Sequence, residues 1–115
     1  MTADGTTYDD GVLRIVSTTD PAGLRLAGEI DESTYHALVT ALSRLTAVDG
    51  GEGLHLDLSG VAFCDAAGLH AMVRLADRMG QDGQAVVLHA PSAALRVMLR
   101  IVGWEDLPGL VVVDR

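Results

Sequence analysis

Chemistry in this chain has one natural address, the stretch Leu54 to His70, LHLDLSGVAFCDAAGLH, where a strand-like run meets a helix-like one. Asp65 stands where a helix N-cap stands, since its carboxylate can accept from the free N–H groups of a first turn. The residues after it, Ala66, Ala67 and Gly68, leave that turn bare. Bare amides at the positive end of a helix suit an anion or an incoming partner, although an ordinary capped helix uses the same residues. Cys64 beside such a start could act as a nucleophile, with His70 one or two turns along; a small buried apolar side chain is the simpler account. Metal chemistry lacks its spacing, because His36, His55, His70 and His89 fall in four segments with no His-x-x-x-His and no Cys-x-x-Cys. Gly50, Gly51 and Gly53 lack the Lys and the helix start of a phosphate loop. The residues therefore predict no catalysis, no metal and no cofactor, with nucleotide binding by the backbone of Ala66 to Leu69 left open.

The elements that must hold this junction follow from periodicity. Met1 to Gly11 is small, polar and acidic and reads as a flexible tail, with a single domain over residues 12–115. Val12 to Ser17 and Leu24 to Ala27 read as two strands of a hairpin around Asp20-Pro21-Ala22-Gly23. Ser33 or Asp31 can cap a helix with Leu38, Leu42 and Leu45 at helical spacing, ending near Val48 before a loop over 49–53. Leu54, Leu56 and Leu58 alternate with His55 and Asp57, a strand that Ser59-Gly60 breaks. Leu69, Met72, Val73 and Ala76 form one helical stripe, with Arg74, Asp77 and Arg78 on the outer face and a close at Met79-Gly80. Ala85 to Leu88 reads as a central strand covered by helices. Pro91-Ser92 opens a third helix with the stripe Leu95, Met98, Leu99 and Val102, outer residues Arg96 and Arg100, and a stop at Gly103. Trp104 closes one end of the core, and Leu110 to Val113 is the last strand. The order ββαβαβαβ, wound right-handed, predicts a mostly parallel sheet with an antiparallel edge strand and about three packed helices.

Two motifs in this order resemble the STAS domain, the family of sulfate-transporter tails and anti-sigma factor antagonists. Gly28-Glu29-Ile30-Asp31 is similar to its first signature, and Phe63, Asp65, Gly68 and Leu69 to its second. The resemblance spans nearly the whole chain. It implies a STAS-type α/β fold and a non-catalytic regulator that binds a protein partner. In signalling members the residue after the motif Asp is a Ser or Thr that a partner kinase phosphorylates; here it is Ala66, and Ala67 follows without a hydroxyl. Ser33, Thr34 and Ser59 are the other hydroxyls near the motifs. The implied partner-binding set is Asp31, Asp65, Ala66, Ala67, Gly68 and Leu69, with Arg74 and Arg78 framing the contact. The implied partner is a kinase-type anti-sigma factor or, alternatively, a membrane transporter ATPase complex. Many members continue with one more helix, so an apolar strip is left here for a second copy, as in a homodimer, or for a partner to cover.

Composition restricts the partner class. One hundred and fifteen residues suffice for one core, 49% of them hydrophobic and 3% aromatic, so Leu, Val, Ala, Ile and Met must fill it. The formal charge is −8, with eight Arg and no Lys, which repels a phosphate backbone or an anionic membrane surface. Nucleic acid is excluded on that ground. Neither an apolar leader nor a 20-residue apolar run is present, which predicts a cytoplasmic protein without membrane insertion.

Overall fold

The computed structural model describes residues 5–45 and 53–115. Six strands form one sheet in sequential order: β1 Gly5–Asp9, β2 Leu13–Thr19, β3 Ala22–Ile30, β4 Leu54–Cys64, β5 Val86–His89 and β6 Leu110–Val113. The first three pair antiparallel, and β3 to β6 run parallel. Helices α1 Tyr35–Ser43, α2 Ala66–Gln81 and α3 Ala93–Ile101 make the crossovers, with a 3₁₀ turn at Trp104–Asp106. Each crossover steps to the next strand in the same direction, so right-handed connections place all three helices on one face of the sheet. Burial agrees. Leu13, Ile15, Leu24, Leu26, Leu56 and Leu88 are sealed beneath the helices, while their strand neighbours Val16, Arg25, Asp57, Val87 and His89 remain partly or fully exposed on the other face. This is the mixed α/β sheet with three helices that the sequence predicts, but β5 is covered on one side only.

Several boundaries differ from the sequence reading, each for a local reason. Residues 5–9 are an edge strand rather than tail. Asp10 makes the turn that returns it, accepting from the N–H groups of Val12 and Leu13, both at 2.8 Å, and from the Tyr8 hydroxyl at 2.7 Å. Helix α1 stops at Ser43, whose hydroxyl donates to the Thr40 carbonyl at 2.7 Å and competes with the helical ladder. Val48 and the loop 49–52 lie outside the described residues. Val102, assigned to the apolar stripe of α3, is its C-cap and exposed, followed by Gly103 at φ +76°.

The most informative difference is in β4. Ser59-Gly60 does not end the strand but bulges it. Asp57 pairs with Arg25 and Gly60 with Ala27, so β4 has one residue more than β3 over that interval; Ala62 is a second extra residue between Val61 and Phe63. Gly60 is needed there because a Cβ would lie 2.9 Å from that of Ala27.

Two glycines separate lack of space from backbone conformation. Gly23 and Gly83 have φ of +154° and +74°, but a methyl group at 23 would lie 1.7 Å from the His55 carbonyl oxygen, and one at 83 meets nothing within 4 Å. Urea unfolding should show a loss of about 4 kcal/mol or more for Gly23→Ala. For Gly83→Ala it should show roughly 1–2 kcal/mol.

Candidate partner-binding site

The two motifs meet at the carboxyl ends of β3 and β4. Ile30 pairs with Cys64, and the Asp65 N–H donates to the Ile30 carbonyl at 3.0 Å, so Asp31 and Asp65 leave adjacent strands side by side. Each carboxylate then organises the turn that follows it. Asp65 is the N-cap of α2 in extended conformation and accepts from the Gly68 N–H at 2.8 Å. Asp31 accepts from the N–H and hydroxyl of Ser33, at 2.9 and 2.7 Å, and from the Thr34 N–H at 3.3 Å. Chiefly through the Ser33 hydroxyl, these bonds hold the Asp31 carboxyl below its usual range. The N-cap of α1 is Thr34 rather than Ser33 or Asp31. Its side chain donates to the Glu29 carbonyl at 2.9 Å instead of capping the helix.

The predicted residues divide into those that face out and those that lie inside. Ala66 and Ala67 are exposed on the first turn of α2, and Asp31 and Asp65 are half-buried. Gly68 and Leu69 are interior. Leu69 is 0% exposed, and a Cβ on Gly68 would lie 2.3 Å from Ile30 Cγ2, so these two seat the helix on β3 and do not present a surface. An arginine at position 68 would therefore disturb the fold. Arg74 and Arg78 are exposed and stand eight and twelve residues beyond Ala66, about 12 and 18 Å along the axis. They are not at the helix start. They continue the stripe Ala67, Ala71, Arg74, Arg78 and rim a groove against α1 with Tyr35, Val39, Leu42 and Leu75.

One surface residue escaped the sequence-derived binding set. Phe63, the only Phe of the chain, is 52% exposed, because the bulge at Ala62 turns it outward where strict alternation would leave a single outward residue. The signal was its presence in a chain with so few aromatics. Ala62, Phe63, Ala66 and Ala67 form an apolar, hydroxyl-free edge on both sides of the capping carboxylate.

Other candidates are now placed. Cys64 is buried, with Sγ donating to the Asp65 carbonyl at 3.4 Å; burial, then the Asp65 charge, push its thiol up to about 12, so it offers no thiolate. His70 stacks on Trp104 at 5.2 Å between centroids, and Trp104 packs against the edge of the core. Thr34 is fully buried, the Ser33 hydroxyl is tied to Asp31, and Ser59 faces the open side of the sheet. Among the described residues no group of three His, Cys, Asp or Glu side chains is placed to hold a metal. No described helix is long and apolar enough to cross a membrane.

The family described as "Mlab, STAS domain" matches residues 13–112. No curated protein sequence matches. Among solved structures, the anti-sigma factor antagonist SpoIIAA in its unphosphorylated form is similar with TM-score 0.59 and 19% identity, over 80% of this chain and 77% of that one. The murine Slc26a9 anion transporter in its inward-facing state is similar with TM-score 0.62 and 18% identity, over 97% of this chain but 21% of the transporter.

Two changes test the local chemistry. Asp65→Ala should cost about 1 kcal/mol in urea unfolding through loss of the cap. Ser33→Ala should move the Asp31 titration, read by carboxyl NMR, up toward the ordinary value. Because the folded Asp31 pKa is the lower one, the turn stabilises the fold above the ordinary carboxylate range. It loses that contribution as pH falls through the Asp31 midpoint.

Proposed function

Since the chain belongs to the STAS domain family, we propose that it is a non-catalytic protein-binding regulator, an anti-sigma factor antagonist-like ligand of a kinase-type anti-sigma factor that lacks the phosphorylation off-switch at the usual position. The observation that carries this reading is Ala66, exposed as the first residue of α2 and flanked by the outward-facing Phe63 and Ala67. A phosphate on a hydroxyl there would bring about −1.5 to −2 charges into an apolar contact beside Asp65, repulsive and costly to desolvate. Alanine cannot receive it. The contact surface then stays in its binding form, and the amount of protein, not its modification, sets the effect.

The aromatic side chain supplies the anchor, since a large rigid apolar group at the centre of a small patch dominates such contacts. Arg74 and Arg78, without ion-pair partners among the described residues, extend the surface along α2 and suit an acidic stretch of the partner. Asp31 and Asp65 hold the two turns beneath it.

A second reading is a regulatory or assembly subunit of a membrane transporter ATPase complex. The Mlab-type family match, together with the likeness of 97% of this chain to a portion of an anion transporter, favours it. The same surface would serve either partner.

Capture of the tagged full chain's partners from lysate of its own cell, with and without ATP, separates the two readings. A kinase-type anti-sigma factor recovered undiminished by ATP supports the first, and transporter subunits support the second. With the recovered partner purified, Ala66→Asp should abolish binding, and Phe63→Ala should weaken it by roughly 2 kcal/mol, about thirtyfold. Undiminished affinity in both variants would remove this edge from the interface.

A further inference from the structure

The open face of the sheet carries a group of side chains that partner binding at the α2 start does not use. His55 on β4 and His89 on β5 both point to this face, and His55 Nδ1 lies 2.6 Å from His89 Nε2. Their ring centroids are 4.9 Å apart with 26° between planes. That separation is the N···N distance plus the two ring radii, so the nitrogens lie on the line of centroids and the rings meet edge to edge. Lone pairs in this arrangement point at each other and not at a common third point. A metal ion needs roughly 2.0–2.1 Å to each nitrogen along its lone pair, which the contact does not offer, whereas a shared proton fits.

The second nitrogen of His89 fixes the proton count. His89 Nδ1 lies 2.8 Å from the Arg115 backbone oxygen, which can only accept, so Nδ1 carries a hydrogen. His89 Nε2 and His55 Nδ1 then share one proton between them, and the two rings together hold at most three. A fourth proton would set two N–H groups against each other across 2.6 Å.

We propose that His55 and His89 form a proton-operated latch: one shared proton keeps the rings in contact and so seats His89, whose Nδ1–H holds the segment after β6 against the open face, and full protonation of both rings drives them apart and carries His89 off the Arg115 oxygen. That segment is a wall of a cavity of about 480 Å³ lined also by Pro21, Arg25, Asp57 and Ser59. Among the described residues, the charged groups that line the cavity with the pair are Arg25 from β3, Asp57 from β4, Asp20 from the β2–β3 turn, and Asp114 and Arg115 beyond β6. Arg25 and Asp57 pair at 3.6 Å, and Asp114 pairs with Arg96 of α3 at 2.6 Å. Asp57 remains an anion beside the latch while the imidazoles titrate. Burial opposes its charge, but hydrogen bonds from Ser59 and the charges of Arg25 and His89 prevail and lower its pKa. It favours the singly charged pair, whose N–H···N bond is charge-assisted. The ion pair of Asp114 with Arg96 keeps the segment nearby, so opening is local.

Nitrogen-15 NMR of the full chain tests this without any binding partner. At neutral pH a scalar coupling between His55 Nδ1 and His89 Nε2 should be visible across the hydrogen bond, with His89 protonated at Nδ1. Acidification toward about pH 5 and below, through the range where imidazoles titrate, should abolish the coupling and shift the Asp114 and Arg115 amides at the same step. In His55→Gln the Arg115 shift at that step should be lost. Absence of the coupling at neutral pH would overturn the proposal, as would its loss on acidification with Arg115 unmoved. The wild-type titration decides the matter even if the variant folds poorly.

Discussion

Parallel pairing of β3 with β4 runs from Gly23 against His55 to Ile30 against Cys64, and most of what the molecule presents depends on that register. At one end the backbones approach so closely that only glycine fits at position 23. At the other, the Asp65 N–H caps the Ile30 carbonyl, and the next residues turn into α2. The register thus brings the motif aspartates, 34 positions apart in sequence, to neighbouring strand ends. Each carboxylate is then spent on backbone N–H groups, which sets the direction in which its turn or helix leaves the sheet. Gly68 completes the arrangement, since the first turn of α2 can lie against Ile30 only where there is no side chain. The residues that look most like a binding site in sequence are therefore partly scaffold.

What remains on the outside is chemically plain. Ala62, Phe63, Ala66 and Ala67 offer no hydroxyl, no thiolate and no metal ligand; the adjacent Cys64 is sealed in with its proton held tightly. Such an edge has little to do except exclude water against another surface. On a chain of net charge −8, Arg74 and Arg78 lie away from that edge, farther along α2, where they rim the groove against α1 with Asp77 between them.

The element order ββαβαβαβ from residue 12 onward, the three helices and the capping role of Asp65 were legible because periodicity and cap chemistry are local properties, settled within a few residues. The errors fell where a tertiary contact decided. Ser59-Gly60 looks like a strand terminator in isolation, but facing Ala27 it is a bulge, and nothing within residues 54–64 records what lies across the ladder. The acidic stretch before Val12 looks like tail until Asp10 is seen closing a turn on its own neighbours. Arg74 and Arg78, read as framing a contact on the outer face of the helix, are on that face, and their place beside the α1 groove is set by a neighbouring helix that local spacing does not show. The pairing of His55 with His89 was invisible because 34 residues of chain separate them, and only the β4–β5 register makes them diagonal neighbours.

The two bulges also explain how one strand serves two surfaces. Before them, His55 and Asp57 point to the open face in strict alternation with the buried leucines; after them, Ala62 and Phe63 are both outward and Cys64 is again inward. Asp57 and Phe63 lie opposite Arg25 and Glu29, about 13 Å apart along the strand, and the added local twist turns the second away from the first. A partner seated at the α2 start would then leave the open face uncovered. Communication between the two surfaces would have to pass through the β3–β4 register, which close glycine contacts at positions 23 and 60 hold to one alignment. A frame fixed in this way has no second arrangement to shift into, and coupling needs one. Protonation of the histidine pair should therefore act on the wall beside it and leave the Phe63 edge unchanged.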